Sequence, residues 1–152
     1  MSVKLHQRTE SSLEFLNNAY KLRNLLIAKI KVDFKTSKER TEESKGRFEN
    51  QPDWLIEDGR KCLINNLRQL TSNAIMGNNI YVVSEEDKNE RRLYFTKAIG
   101  NCKIILQELY FLKSELGADI ERYKMFIDIV SYEIKLLKGC RAITNKMKVG
   151  NS

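Results

Sequence analysis

"RRLYFTKAIGNCKIILQELYFL", residues 91–112, is the stretch that decides the fold. It reads as one uninterrupted helix. Phe95, Ala98, Cys102, Ile105, Leu109 and Leu112 recur at three- and four-residue steps, which gathers them on one side. A second apolar set, Leu93, Ile104 and Phe111, falls on nearly the opposite side, and Gly100 sits within it. A mid-helix glycine costs about 1 kcal/mol relative to alanine, so its position asks for a reason outside helix propensity.

Working outward, this helix opens at Ser84, with Glu85, Glu86 and Asp87 in its first turn where negative charge suits the helix dipole, and closes at Gly117. Upstream, Pro52-Asp53-Trp54 opens a helix that fades at Gly77. Further upstream, residues 12–32 form the first helix, with Ser11 and Glu14 as a capping box. Downstream, Asp119 caps a fourth helix that continues to about Gly139 or a turn beyond. Short links between the last three helices predict an all-α, antiparallel up-down four-helix bundle, one domain over residues 1–152. A single proline and seven glycines agree with a helical chain. Residues 33–51 carry five charges of each sign and read as a mobile loop or a frayed helical extension. Ile80 to Val83 is expected to pack over one end of the bundle, and residues 144–152 to form a flexible basic tail.

The apolar faces sort the helices into two kinds. Helix one is apolar at Leu13, Leu16, Tyr20, Ile27 and Ile30, widened by Phe15, Ala19, Leu22 and Leu26. Helix two is apolar at Ile56, Leu63, Leu67, Leu70 and Ala74. Helix four, like helix three, is apolar twice: Ile120, Tyr123, Ile127, Val130, Ile134 and Leu137 face one way, and Met125, Ile129, Tyr132, Leu136, Cys140 and Ile143 the other. A monomeric bundle has no use for the second stripe, and a large apolar surface marks an interface. The expected oligomer contacts are Leu93, Gly100, Ile104 and Phe111 on helix three, with Met125, Ile129, Tyr132, Leu136 and Cys140 on helix four. Gly100 would admit a close approach there, or else relieve crowding within the protomer.

The net charge of +7 is unevenly spread. Residues 1–32 hold six basic and two acidic side chains, residues 119–152 seven and four, and the segments between are neutral. In an up-down bundle the start of helix one meets the end of helix four, so the two excesses can merge into a patch that suits a polyanion. Lys135, Lys138, Arg141, Lys146 and Lys148 are the first candidates for nucleic-acid contacts, followed by Lys29, Lys31, Arg91, Arg92 and Lys103. No sequence-specific DNA- or RNA-binding motif accompanies them.

Catalysis finds little to work with. His6 is the only histidine, which removes the Glu-x-x-His pairs of di-iron bundles and leaves no well-placed base for a nucleophile. There is no P-loop and no G-x-G-x-x-G cradle. Cys62, Cys102 and Cys140 are widely spaced and read as reduced thiols. The chain is expected to be a non-enzyme without metal or cofactor. It has no apolar stretch of membrane-spanning length and no hydrophobic signal core, so a soluble, cytoplasmic protein is expected.

The phrases "RRLYFTKAIGNCKIILQELYFL", "RYKMFIDIVSYEIKLLKGCR", "PDWLIEDGRKCLINNLRQL" and "ESSLEFLNNAYKLR" resemble the accessory variability determinant (Avd-like) proteins of diversity-generating retroelements in bacteria and phages. The resemblance covers the chain apart from residues 33–51 and the last ten. It implies a barrel-shaped homopentamer of four-helix protomers that binds RNA or DNA with little sequence preference. It also implies association with the retroelement's reverse transcriptase in mutagenic cDNA synthesis. The chain departs from that pattern at "KGCRAITNK", where the family has a KGWRKSDNK-like phrase, so Cys140 replaces an aromatic and Ala142 a basic residue. Two other readings share the bundle: a four-helix protein of the 23S rRNA intervening-sequence type, and a purely structural oligomerisation module.

Overall fold

The computed structural model describes residues 13–114 and 120–150. Four helices carry the fold: α1 (Glu14–Asp33), α2 (Asp53–Asn79), α3 (Glu85–Ser114) and α4 (Lys124–Asn145), the last preceded by a 3-10 turn at Ile120–Arg122. Among the described residues there is no strand.

Local chemistry sets the helix starts. Pro52 is extended (φ −62°, ψ 144°) and hands over to Asp53 in the first turn of α2. Ser84 and Asp87 cap α3 reciprocally. The Asp87 N–H donates to Ser84 Oγ (3.1 Å), while the Ser84 and Val83 N–H groups donate to Asp87 Oδ2 (3.1 Å each). Ser11, Gly117 and Asp119, expected at helix ends, lie outside the described residues. α4 continues past Gly139 to Asn145, so it takes the first two residues of the expected tail, and Thr144 is fully buried.

The core is one apolar cluster fed by all four helices. Leu63, Leu67, Leu70 and Ala74 of α2 and Phe95, Ala98, Cys102, Ile105 and Leu109 of α3 are fully buried, as their spacing predicts. On α1 the buried face is Phe15, Ala19, Leu22, Leu26 and Ile30; Tyr20 points to solvent, so the axis of that face is rotated from the expected one. Phe34, just past the end of α1, packs on Gly59 of α2, and Arg23 of α1 pairs with Thr71 of α2. Between α2 and α3, Gly77 pairs with Phe95 and Asn73 with Asn101. Thr144 meets Arg91, Thr96 meets Arg141, Tyr123 meets Asp33, and Glu133 meets Asn18.

Residues 34–52 correct the expectation of a mobile loop. Phe34 and Phe48 are buried and pack edge to face, with ring centroids 5.0 Å apart. The buried Asp33 carboxylate accepts from Tyr123 Oη (2.6 Å) and pairs with Lys29 Nζ (3.2 Å) and Arg47 Nε (3.5 Å). Gly46 has φ +78°, and a Cβ there would stand 2.8 Å from the Asp33 carbonyl oxygen, which the Arg47 N–H uses at 2.9 Å. Two aromatic anchors and one buried carboxylate outweigh the loop's polar composition. In the link after α2, Ile80 and Val82 are half-buried while Tyr81 and Val83 are exposed.

Candidate nucleic-acid interface

Arg91 enters the structure as a strut. Its guanidinium donates to the carbonyls of Gly77 (3.0 Å) and Ile80 (3.1 Å) and to Thr144 Oγ1 (3.1 Å), and stacks over Phe95. It thereby satisfies the free carbonyls at the end of α2, which ends without a basic residue in its last turn. These contacts use its Nε and Nη1 and hold the side chain within the fold. Lys29 is likewise engaged, with Asp33.

The remaining candidates divide by position. Arg92 donates to Asn145 Oδ1 (3.0 Å) and also bonds Asn89, while Arg141 donates to Thr96 Oγ1 (3.3 Å), so α3 and α4 share a basic seam. Lys103 and Lys138 are exposed, as are Lys135, Lys146 and Lys148. Lys135 borders a groove of about 740 Å³ that Glu14, Phe15, Leu136, Ile143 and Met147 also line. Lys148 borders another with Tyr81 and Arg91. Lys29 and Lys31 do not join this group. Lys29 sits over the Tyr123 ring where α4 begins, whereas Lys146 follows its last residue. A helix of 22 residues spans roughly 33 Å, which separates the two sets. The expected merger of the two basic chain ends therefore fails for these two residues.

The second apolar stripe is real but narrower than expected. Leu93 (51% exposed), Ile104 (40%), Met125 (51%) and Tyr132 (42%) lie at the surface. Phe111, Leu136 and Cys140 are half-buried against the core, and Ile129 is buried outright, which removes it from the surface set. Around Gly100 nothing lies within 4 Å of where a Cβ would stand. Crowding within the protomer is thus not its reason. Gly77, by contrast, would bring a Cβ to 3.0 Å from the Phe95 ring.

Two features escaped the sequence reading. Glu133 is fully buried at the α1–α4 contact; Asn18 Nδ2 donates to its Oε1 (3.1 Å) and to the Ile129 carbonyl (3.2 Å), while Oε2 has no partner. Burial pushes this carboxyl up to about 8, with the Asn18 bond opposing the shift. An amide ladder also escaped notice: Asn73 donates to Asn101 Oδ1, and Asn101 donates to Asn66 Oδ1 and Gln69 Oε1 at 2.9–3.1 Å. A glutamate at a core spacing was the available signal for the first; the second has none, because polar residues flanking a core face are ordinary surface residues until a neighbouring helix meets them.

Among the described residues no group of three His, Cys, Asp or Glu side chains can hold a metal ion, and no helix is long and apolar enough to cross a membrane. The three cysteines are unpaired thiols, and burial raises those of Cys62 and Cys140 to about 11. Comparison with family models, with curated proteins and with solved structures finds no match for this chain.

Proposed function

We propose that the protein is a non-catalytic accessory subunit of a diversity-generating retroelement reverse transcriptase in the cytoplasm. It binds template RNA or cDNA through a basic surface and works as a ring-shaped oligomer, a pentamer as the resemblance implies. Each protomer is an antiparallel up-down bundle, a reading supported by successive pairs in which residue numbers rise on one partner as they fall on the other: 23 with 71 and 34 with 59, 73 with 101 and 77 with 95, 91 with 144 and 96 with 141.

The observation that carries this reading is the joint exposure, on α3 and α4, of cations and of an apolar stripe with an open glycine. The stripe supplies a surface for self-association. Repeating the cations around a ring multiplies phosphate contacts without any new motif. The test is a salt titration of binding to structured RNA and duplex DNA, with a pull-down of the neighbouring reverse transcriptase. Steep salt dependence, weak selectivity and capture of the polymerase are expected. An intact oligomer that binds neither nucleic acid at low salt nor the polymerase would overturn the reading in favour of a structural oligomerisation module.

A further inference from the structure

Segment sums of charge conceal a local asymmetry. No acidic residue occurs between Glu14 and Asp33 or between Asp58 and Glu85, so the middle of α1 and most of α2 carry only positive charge. These two stretches pack together, and between them runs a groove of about 490 Å³ lined by Arg23, Arg68, Gln69, Ser72, Ile75 and Met76. Arg23 is held in place. Its Nη1 donates to Thr71 Oγ1 (3.1 Å), and that hydroxyl donates in turn to the Arg68 carbonyl (2.9 Å). Among the described residues neither Arg23 nor Arg68 pairs with a carboxylate, whereas Lys29, Arg47 and Arg60 all do.

We infer that this groove binds the phosphodiester backbone of single-stranded nucleic acid, with Arg23 and Arg68 as the phosphate contacts. The inference takes its ligand class from the proposed function and assigns it to residues outside the basic set of α3 and α4. A guanidinium presents several N–H donors in a fixed fork, and only one of Arg23's is used within the protein. Gln69 accepts from Asn101 with its Oε1 (3.1 Å), which leaves its NH₂ donors for a ligand. Tyr20 is 41% exposed one turn before Arg23, and Met76 is 45% exposed beside Arg68. An aromatic and a thioether flanking unpaired arginines fit the bases of a single strand as well as its phosphates. Inorganic phosphate would use the arginines and leave the apolar flank idle.

The experiment uses the full chain and fluorescein-labelled single-stranded RNA and DNA 20-mers of mixed sequence, with anisotropy read from low to high salt. Arg23→Gln/Arg68→Gln is compared with Lys138→Gln/Lys146→Gln/Lys148→Gln, and circular dichroism melts and light scattering confirm fold and assembly. The arginine variant is expected to bind both strands on the order of tenfold more weakly. Two lost contacts should lower the slope of log K against log salt by about 1.4. Should Arg23→Gln disturb the fold through Thr71, Arg68→Gln alone carries the test, since that side chain is exposed, and a loss of about threefold or more is expected. Wild-type binding that the folded arginine variants leave unchanged would overturn the groove and spare the proposed function. Absence of wild-type binding to either strand at low salt would also overturn the groove, and would overturn the proposed function only if structured RNA, duplex DNA and the polymerase were likewise not bound.

Discussion

Glu133→Gln should remove a large part of the fold's pH sensitivity between about pH 5 and pH 8. The carboxyl is fully buried, has one partner in Asn18, and faces the Cys102 thiol of α3 and the Cys140 thiol of α4. None of these offers a positive charge. Its folded-state value of about 8 stands above the ordinary 4.5, so the folded protein holds a proton that the unfolded chain releases between those limits. Stability from this group is therefore full below about pH 4.5 and falls by about 1.4 kcal/mol per pH unit until about pH 8. At pH 7 the accumulated loss is about 3 kcal/mol, enough to lower the melting temperature by roughly 10 °C in a domain of this size. Glutamine keeps the carbonyl that accepts from Asn18 and cannot ionise. Urea unfolding of both proteins at pH 5, 6, 7 and 8, at one protein concentration, should show near-equal stability at pH 5 and a widening advantage for glutamine above it. A difference that stays constant across that range would refute the reasoning.

Gly46→Ala should destabilise the fold by about 1–3 kcal/mol, because φ is +78° and the new methyl would strike the Asp33 carbonyl oxygen; a thermal melt checks it. Gly100→Ala should gain about 1 kcal/mol in a dissociated protomer, where its surroundings are open, and lose that gain once subunits associate; melts over a hundredfold range of protein concentration separate the two. Ile104→Asp, at a position 40% exposed, should leave helicity intact and reduce the assembled mass measured by light scattering, since a charge buried in an apolar interface lacks a partner. Unmutated protein that is already monomeric at tens of micromolar would end the oligomer proposal.

The helices themselves were legible because their information is local. Apolar residues at three- and four-residue steps, the acidic first turn of α3 and the Pro52 start of α2 each depend on neighbours within a turn or two, and the structure places the core faces of α2 and α3 and both helix starts as read, while Tyr20 of α1 and Ile129 of α4 depart from their expected faces. The basic interface was only partly legible. Whether an arginine is free depends on what another helix brings to it: Arg91 reads like Arg92 in sequence, yet Gly77, Ile80 and Thr144 claim it. Arg68 went unnoticed because the acids of its segment sit at the start of α2, where a segment sum cancels charges that space keeps apart, and Arg23 because only the packing of α1 on α2 brings it beside Arg68.

Composition and periodicity alone thus determined that the chain is helical, where its helices lie, and that α3 and α4 each carry more apolar surface than one core requires. Only tertiary structure decided that residues 34–52 are packed, that Ile129 faces inward, that Glu133 is a buried acid, and that Gly100 opens to empty space. The physical reason is range: backbone propensity and amphipathic spacing act within a few residues, whereas burial, desolvation and ion pairing are set by contacts across the 90 residues from Asp33 to Tyr123 or the 115 from Asn18 to Glu133.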